Sequence, residues 1–137
     1  MDDTSQRLRT ALQGSDVTIT QTTDQRIWLS LPVEAAFPKG RSAVTTGAAA
    51  SLDQIALALR SNARAQIQIV SDADAKDTGP TSEALALDRA ASARDWIVGR
   101  GILASRVVVA RRDARPPAQP DAHRLDILIG ERSATPH

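Results

Sequence analysis

The apolar residues of this chain switch period several times, and that succession constrains the fold more than any other feature. Val17 and Ile19 alternate with Thr18 and Thr20, and Ile27, Leu29 and Leu31 alternate with Trp28 and Ser30. Two period-two runs around the polar turn Thr23-Asp24-Gln25 predict a β-hairpin, with Pro32 ending its second strand or holding it at an edge. From Thr46 the spacing becomes helical, through Ala48, Leu52, Ile55, Ala56 and Leu59. Residues 65–70 return to period two, with Ile67 and Ile69 against Gln66 and Gln68. A second long helix is predicted over 82–99, with a stripe of Ala86, Ala90, Ala93 and Ile97, and with Gly79-Pro80 read as a stop signal before it. Gly101 stands just beyond, where a left-handed residue commonly closes a helix. Three consecutive valines within 106–110 predict a buried strand, and 123–130, with Leu125, Ile127 and Ile129 inward, predicts the last one.

The order is hairpin, helix, strand, helix, strand, strand. Right-handed crossovers place both main helices on one face of a mixed sheet, which is an α+β two-layer sandwich. Residues 1–15 read as an N-terminal helix and linker, with Leu8, Ala11 and Leu12 on one side of a helix over 5–13 that stops at Gly14. Residues 16–131 form the domain and 132–137 a loose tail. Residues 33–45 read as irregular because of Pro38 and Gly40, 71–81 as a polar loop, and 111–122 as a proline-rich loop. A length of 137 residues suits one domain, and no internal repeat is visible.

Composition narrows the function classes. Trp28, Phe37 and Trp96 are the only aromatics, so the core is aliphatic and alanine-rich. There is no cysteine, which excludes disulfides, thiolate metal sites and thiol nucleophiles. The net charge of +1 and the missing stacking platform argue against nucleic acid as a partner. No uncharged apolar run approaches the ~18 residues of a membrane span. Met1-Asp2-Asp3 is acidic where a signal peptide is basic, so an exported parent protein is expected to carry its targeting or anchoring segment elsewhere.

Catalytic and metal chemistry find little support. The only histidines are His123 and His137, and neither a nucleophile elbow nor a phosphate loop is present. Asp72, Asp74 and Glu83 fall at positions one, three and twelve of a calcium-loop count, but Lys76 and Asp77 occupy positions five and six, where a further ligand and a glycine belong. No enzyme activity, cofactor or metal is therefore expected. Arg106, Arg111, Arg112 and Arg115 form a basic cluster that reads either as a solvated strand end or as a contact for an anionic partner.

Over residues 34–131 the chain resembles the OmpA-like, peptidoglycan-associated domain family. The stretch Phe37-Pro38-Lys39-Gly40-Arg41-Ser42-Ala43-Val44 is similar to the segment before that family's first long helix, Leu52–Leu59 to the helix, and Ile67-Gln68-Ile69-Val70 to the strand after it. Ser71-Asp72-Ala73-Asp74 stands where the family has a Gly-His-Thr-Asp type segment. Leu85-Ala86-Leu87-Asp88-Arg89-Ala90 stands where it has Leu-Ser-x-x-Arg-Ala. Asp74 and Arg89 are fifteen residues apart, as are the family's aspartate and arginine. Gly101-Ile102 with Arg106, and His123-Arg124-Leu125-Asp126-Ile127, resemble its closing segments. Three family residues before the aspartate are replaced by Ser71, Asp72 and Ala73, and the turn after the valine strand, Arg111-Arg112-Asp113-Ala114-Arg115, contains no glycine.

The resemblance implies an OmpA-like sandwich and a periplasmic, non-catalytic domain. It would bind the peptide stem of peptidoglycan at diaminopimelate and tether an envelope protein or assembly to the cell wall. Asp74 would pair with the ligand's amino group and Arg89 with its carboxylate, an ion pair that guanidinium geometry suits. Phe37, Ala73, Leu85 and Arg124 complete the implied site. Arg124 shares a strand face with Asp126 and also reads as a structural partner. A second reading follows from the altered loops: a domain that has lost the cell-wall ligand and binds other envelope or secretion-complex proteins.

Overall fold

The structure is a computed structural model that describes residues 2–22, 25–72, 80–110 and 124–131. Its elements are α1 (Asp2–Ala11), β1 (Thr18–Gln21), β2 (Ile27–Pro32), α2 (Val33–Ala36), α3 (Thr46–Leu59), β3 (Ala65–Ser71), α4 (Pro80–Gly99), β4 (Val107–Val109) and β5 (Arg124–Glu131). The strands form one five-stranded mixed sheet in the order β1-β2-β5-β3-β4. β1 and β2 are the antiparallel hairpin, with Thr18 opposite Ser30 and Gln21 opposite Ile27. β5 inserts between β2 and β3 and runs antiparallel to both. β3 and β4 are parallel, joined through α4.

Register explains the core. Ile27, Ile129, Ile67 and Val107 lie across the sheet in one row, and Leu29, Ile127, Ile69 and Val109 in another. The buried members of these rows form one cluster with Leu52, Ile55 and Leu59 of α3 and with Ala90, Ala93 and Ile97 of α4. Both long helices therefore cover the same face, as the two crossovers predict. Each large aliphatic side chain so buried contributes about 1.5–3 kcal/mol. Leu8 and Leu12 join the same cluster, which packs α1 against α3. No helix among the described residues is long and apolar enough to cross a membrane.

Several expectations need correction. Pro80 does not precede the second long helix but opens it. A helix's first turn has no intrahelical use for its N–H groups, so proline is tolerated there. Within 33–45, Val33–Ala36 forms a single helical turn directly after Pro32. Pro32 does end β2, opposite Arg124, and the β1 ladder on the other side stops at Ser30. Ala11 is exposed, while Leu8 of α1 and Leu12 just beyond it are buried. Arg106 belongs to a 3-10 turn, Ala104–Arg106, and β4 begins after it. Its guanidinium is no solvated strand end: Nε donates to the Ala65 carbonyl at 2.9 Å, and Nη2 to that of Asn62. In β5 the inward alternation of Leu125, Ile127 and Ile129 is present, but Asp126 and Leu128 are also buried. Gly101 closes the α4 end with φ +102, as predicted. A Cβ there would sit 3.2 Å from Arg60 Nε.

The two long helices are tied by one polar cluster. Asp53 Oδ1 accepts from Trp96 Nε1 at 2.7 Å and from Arg100 Nε at 2.6 Å, and the Arg100 guanidinium stacks 4.8 Å from the Trp96 ring centre. The indole hydrogen bond, followed by that of Arg100, holds the Asp53 carboxyl below the usual carboxylate range. A carboxyl depressed in the folded state stabilises the protein above its unfolded pKa, and the gain is lost as pH falls through the folded value. The thermal-melting advantage of wild type over Asp53→Asn is therefore expected near neutral pH and should vanish on acidification through about pH 4 and below. A difference independent of pH would show that the charge on Asp53 does not matter.

Candidate functional site

The segment between α2 and α3 is irregular in sequence but firmly anchored at both ends. The Phe37 N–H donates to the Val33 carbonyl at 2.8 Å. Thr45 donates its N–H to Ala36 O at 2.8 Å and its Oγ1 to Ala35 O at 2.7 Å, and the same Oγ1 caps α3 by accepting from the Ala48 N–H. Between these anchors, Pro38-Lys39-Gly40-Arg41 turns on a hydrogen bond from the Arg41 N–H to Pro38 O at 3.0 Å. Gly40 takes φ +70 at the third position, a conformation that costs glycine little.

Arg89 gathers this turn. It lies about two and a half turns into α4 and is fully buried. Its Nε donates to Arg41 O at 2.8 Å, Nη2 to Pro38 O at 3.3 Å and Nη1 to Asp72 O at 3.2 Å. Its guanidinium carbon stands 5.0 Å from the centre of the buried Phe37 ring, a cation–π distance. One side chain thus joins α4, the 38–41 turn and the exit of β3.

Asp72, the first residue after β3, is 2% exposed. Its N–H donates to Arg124 O at 3.1 Å, and its Oδ2 accepts from the Arg124 N–H at 2.9 Å. The carboxylate thereby extends the β3–β5 ladder one step beyond the Ser71–Leu125 pair. Arg124 is half-buried and donates its Nε to Ser30 Oγ, and Ser30 Oγ donates to Asp126 Oδ1. Trp28 Nε1 donates to that same Asp126 oxygen at 2.9 Å. A continuous polar chain therefore runs from Arg89 through Asp72, Arg124 and Ser30 to Asp126 and Trp28. Charged partners make such hydrogen bonds stronger than neutral ones, and burial raises the penalty for leaving any of them unmade.

Of the residues singled out from sequence, Phe37 and Arg89 are in contact, and Arg124 joins them through Asp72. Leu85 is half-buried, one turn before Arg89 on the same helix face. Ala73 and Asp74 lie outside the described residues, as do Arg111, Arg112, Arg115 and His123. Sequence reasoning missed the carbonyls of Pro38 and Arg41 and the structural use of Asp72. Asp72 carries a signal in hindsight, because it replaces a different residue type directly at a strand exit. Among the described residues, no group of three or more His, Cys, Asp or Glu is placed to hold a metal ion.

No curated protein sequence matches this chain. Solved structures share its fold. The cell wall anchor of the T6SS from Pseudomonas aeruginosa aligns with a TM-score of 0.74 at 18% identity, covering 93% of this chain and 96% of that one. The periplasmic domain of Helicobacter pylori MotB (residues 97–256) aligns at 0.68 and 17% identity, covering 85% and 89%. The peptidoglycan-associated lipoprotein from Burkholderia pseudomallei aligns at 0.58 and 20% identity, covering 70% and 88%. A sequence profile described as the OmpA family matches residues 36–124, which span the Phe37 segment, α3, β3, α4, β4 and the start of β5. The anchored 37–45 segment, the strand exit at Asp72 and the helix carrying Arg89 all fall inside that match, and the chain belongs to the OmpA family.

Proposed function

We propose that this domain binds the peptide stem of peptidoglycan at its diaminopimelate residue and so anchors an envelope protein to the cell wall in the periplasm. The observation that carries the reading is the buried Arg89 cation, held over Phe37 at the exit of β3, two residues of sequence before Asp74. A zwitterionic ligand end requires one anion and one cation at fixed separation, and an aspartate with a braced arginine supplies both. Asp74 takes the ammonium, and Arg89 supplies the positive charge for the carboxyl end. Phe37 backs the guanidinium, while Ala73, Leu85 and Arg124 border the site. Binding alone performs this role, with no bond made or broken. The structural relatives, a cell wall anchor, a periplasmic domain and a peptidoglycan-associated lipoprotein, support the reading.

A second reading, an interaction module for other envelope proteins, is favoured by one feature. The Arg89 guanidinium is already engaged by three backbone carbonyls. An NMR titration with a diaminopimelate-containing muropeptide separates the two. Wild type should show saturable shifts at residues 36–41, 72–80 and 85–90, and Asp74→Asn should show none while keeping its folded spectrum. Wild-type protein that is folded and silent at millimolar ligand would remove the cell-wall reading and leave the interaction module.

A further inference from the structure

One edge of the sheet is capped by a side chain; the other, among the described residues, is bare. At the β4 edge the Ala110 N–H donates to Ile69 O at 2.8 Å, so Val108 and Ala110 turn their backbone groups to β3 and Val107 turns its own outward. Arg94 of α4 covers that outward carbonyl, with Nε donating to Val107 O at 2.9 Å and Nη2 to Ala104 O at 3.4 Å. At the β1 edge the Thr22 N–H donates to Arg26 O at 2.8 Å, which sets the parity of the hairpin. Thr18 and Thr20 bond to β2, so the N–H and C=O groups of Ile19 and Gln21 point away from the sheet, and among the described residues nothing bonds to them. Val17 to Gln21 include no charge and no proline, and the β1–β2 register is continuous, so the usual defences of an edge strand are missing. Val17 and Ile19 pack against the core yet stay half-buried, while Thr18 and Thr20 are exposed.

We infer that β1 is the docking edge for a second copy of this chain, which pairs antiparallel about a two-fold axis between the two Ile19 residues and continues the sheet from one domain into the next. Under that axis Ile19 faces Ile19 of the second copy, Val17 faces Gln21, and Thr18 faces Thr20. Donors meet acceptors along the edge: each Ile19 N–H donates to the opposite Ile19 carbonyl, and each Gln21 N–H to the opposite Val17 carbonyl. The β-branched and threonine pairs suit a strand interface, and no like charges are brought together at any of them. A shift of two residues either way sets Ile19 against Gln21, or Gln21 against Ser15 before the strand begins. Pairing covers Val17 and Ile19 where the core otherwise ends. β2 and β5 separate β1 from β3, so the turn gathered by Arg89 and the strand exit at Asp72 stay clear on both copies. So short an edge buries less than the ~1,200 Å² of lasting complexes, and the pair is therefore weak and exchanges with the monomer.

Disulfide trapping in this cysteine-free chain tests the register. Thr18→Cys and Thr20→Cys are made as separate proteins, each changed at an exposed position. In the mixture the two thiols stand directly opposite, with Cβ atoms about 4.5–5.5 Å apart, whereas in either protein alone they are diagonal, about 7–8 Å apart and beyond easy bridging. Under mild oxidation the mixture should cross-link about tenfold faster than either protein alone, and Val108→Cys, exposed at the edge that Arg94 caps, should match the slow rate. In wild type, dilution from millimolar to micromolar should shift the amide resonances of Ile19 and Gln21 and leave those of Val107 and Val109 in place. Unmoved Ile19 and Gln21 resonances, or a mixture that links no faster than a single variant, overturn the inference and leave the edge for a different extended chain. The wild-type dilution decides the question even if a variant folds poorly. No ligand is present in either measurement, so the outcome is independent of the proposed cell-wall role.

Discussion

Replacing Arg89 with alanine is expected to lower the free energy of unfolding by about 3–5 kcal/mol, placing the variant among the most damaging single substitutions in the chain. Three backbone carbonyls would lose their donor, that of Asp72 at a buried position and those of Pro38 and Arg41 at part-buried ones. Each unsatisfied acceptor costs about 1–3 kcal/mol if water does not replace the donor. The Phe37 ring would also lose the guanidinium stacked on it, and a long side chain's volume would be left empty. Arg89→Lys keeps the charge but concentrates its donors on one nitrogen, which cannot reach three carbonyls arranged around a planar fork. It should recover part of the loss. Urea unfolding followed by circular dichroism measures all three proteins. A change within about 0.5 kcal/mol for Arg89→Ala would show that these hydrogen bonds carry no net stability.

That expectation bears on how the site is tested. An arginine that braces the fold cannot be removed to ask only about a ligand, because a loss of binding would follow from a loss of structure. Asp74→Asn is the more informative probe, since it changes charge at nearly constant volume. The same reasoning favours Asp72→Asn over a truncation, because one oxygen remains to accept from the Arg124 N–H.

The elements were readable from sequence where one period governs a run of residues. Ile67 and Ile69 alternate with half-buried Gln66 and Gln68 because β3 has one face under the helices. Leu52, Ile55 and Leu59 repeat at helical spacing because α3 buries one stripe. Reading failed where the controlling fact is long-range. Leu128 is buried on the outer sheet face, in a row with Trp28 and Gln68, because β5 is a central strand, and its place in the sheet order cannot be read from its own residues. Pro80 is ambiguous in sequence, because the residue that breaks a helix interior is also the one tolerated at its first position. At the site, the spacing of Asp74 and Arg89 and the presence of Phe37 were visible, whereas the acceptors for Arg89 were not. Every residue has a carbonyl, so nothing in the letters of Pro38 or Arg41 distinguishes theirs. Asp72 looked like one more acid of a polar loop, and only the register of β3 against β5 shows its oxygen completing the ladder.

Asp126→Ala is expected to cost about 2–4 kcal/mol, because it strips two buried or half-buried donors of one shared acceptor. Trp28 Nε1 and Ser30 Oγ both donate to Asp126 Oδ1 across the β2–β5 pairing, from positions 98 and 96 residues away in the chain. Asp126→Asn retains an oxygen at that place and should lose less than half as much. Ser30→Ala breaks the same chain one step nearer Arg124, so its effect and that of Asp126→Ala should not add. Residues sharing a hydrogen bond commonly show coupling of about 0.5–3 kcal/mol in a double-mutant cycle. The indole N–H resonance of Trp28, one of two tryptophans in the chain, reports the event directly. It should move strongly in Asp126→Ala and little in Asp126→Asn, while the Trp96 resonance, hydrogen-bonded to Asp53, stays in place. Additive stabilities, or an unmoved Trp28 resonance, would mean that β2 and β5 are held by their backbone ladder and apolar rows alone, and that the polar chain leading from Trp28 to Arg89 transmits no positional constraint to the site.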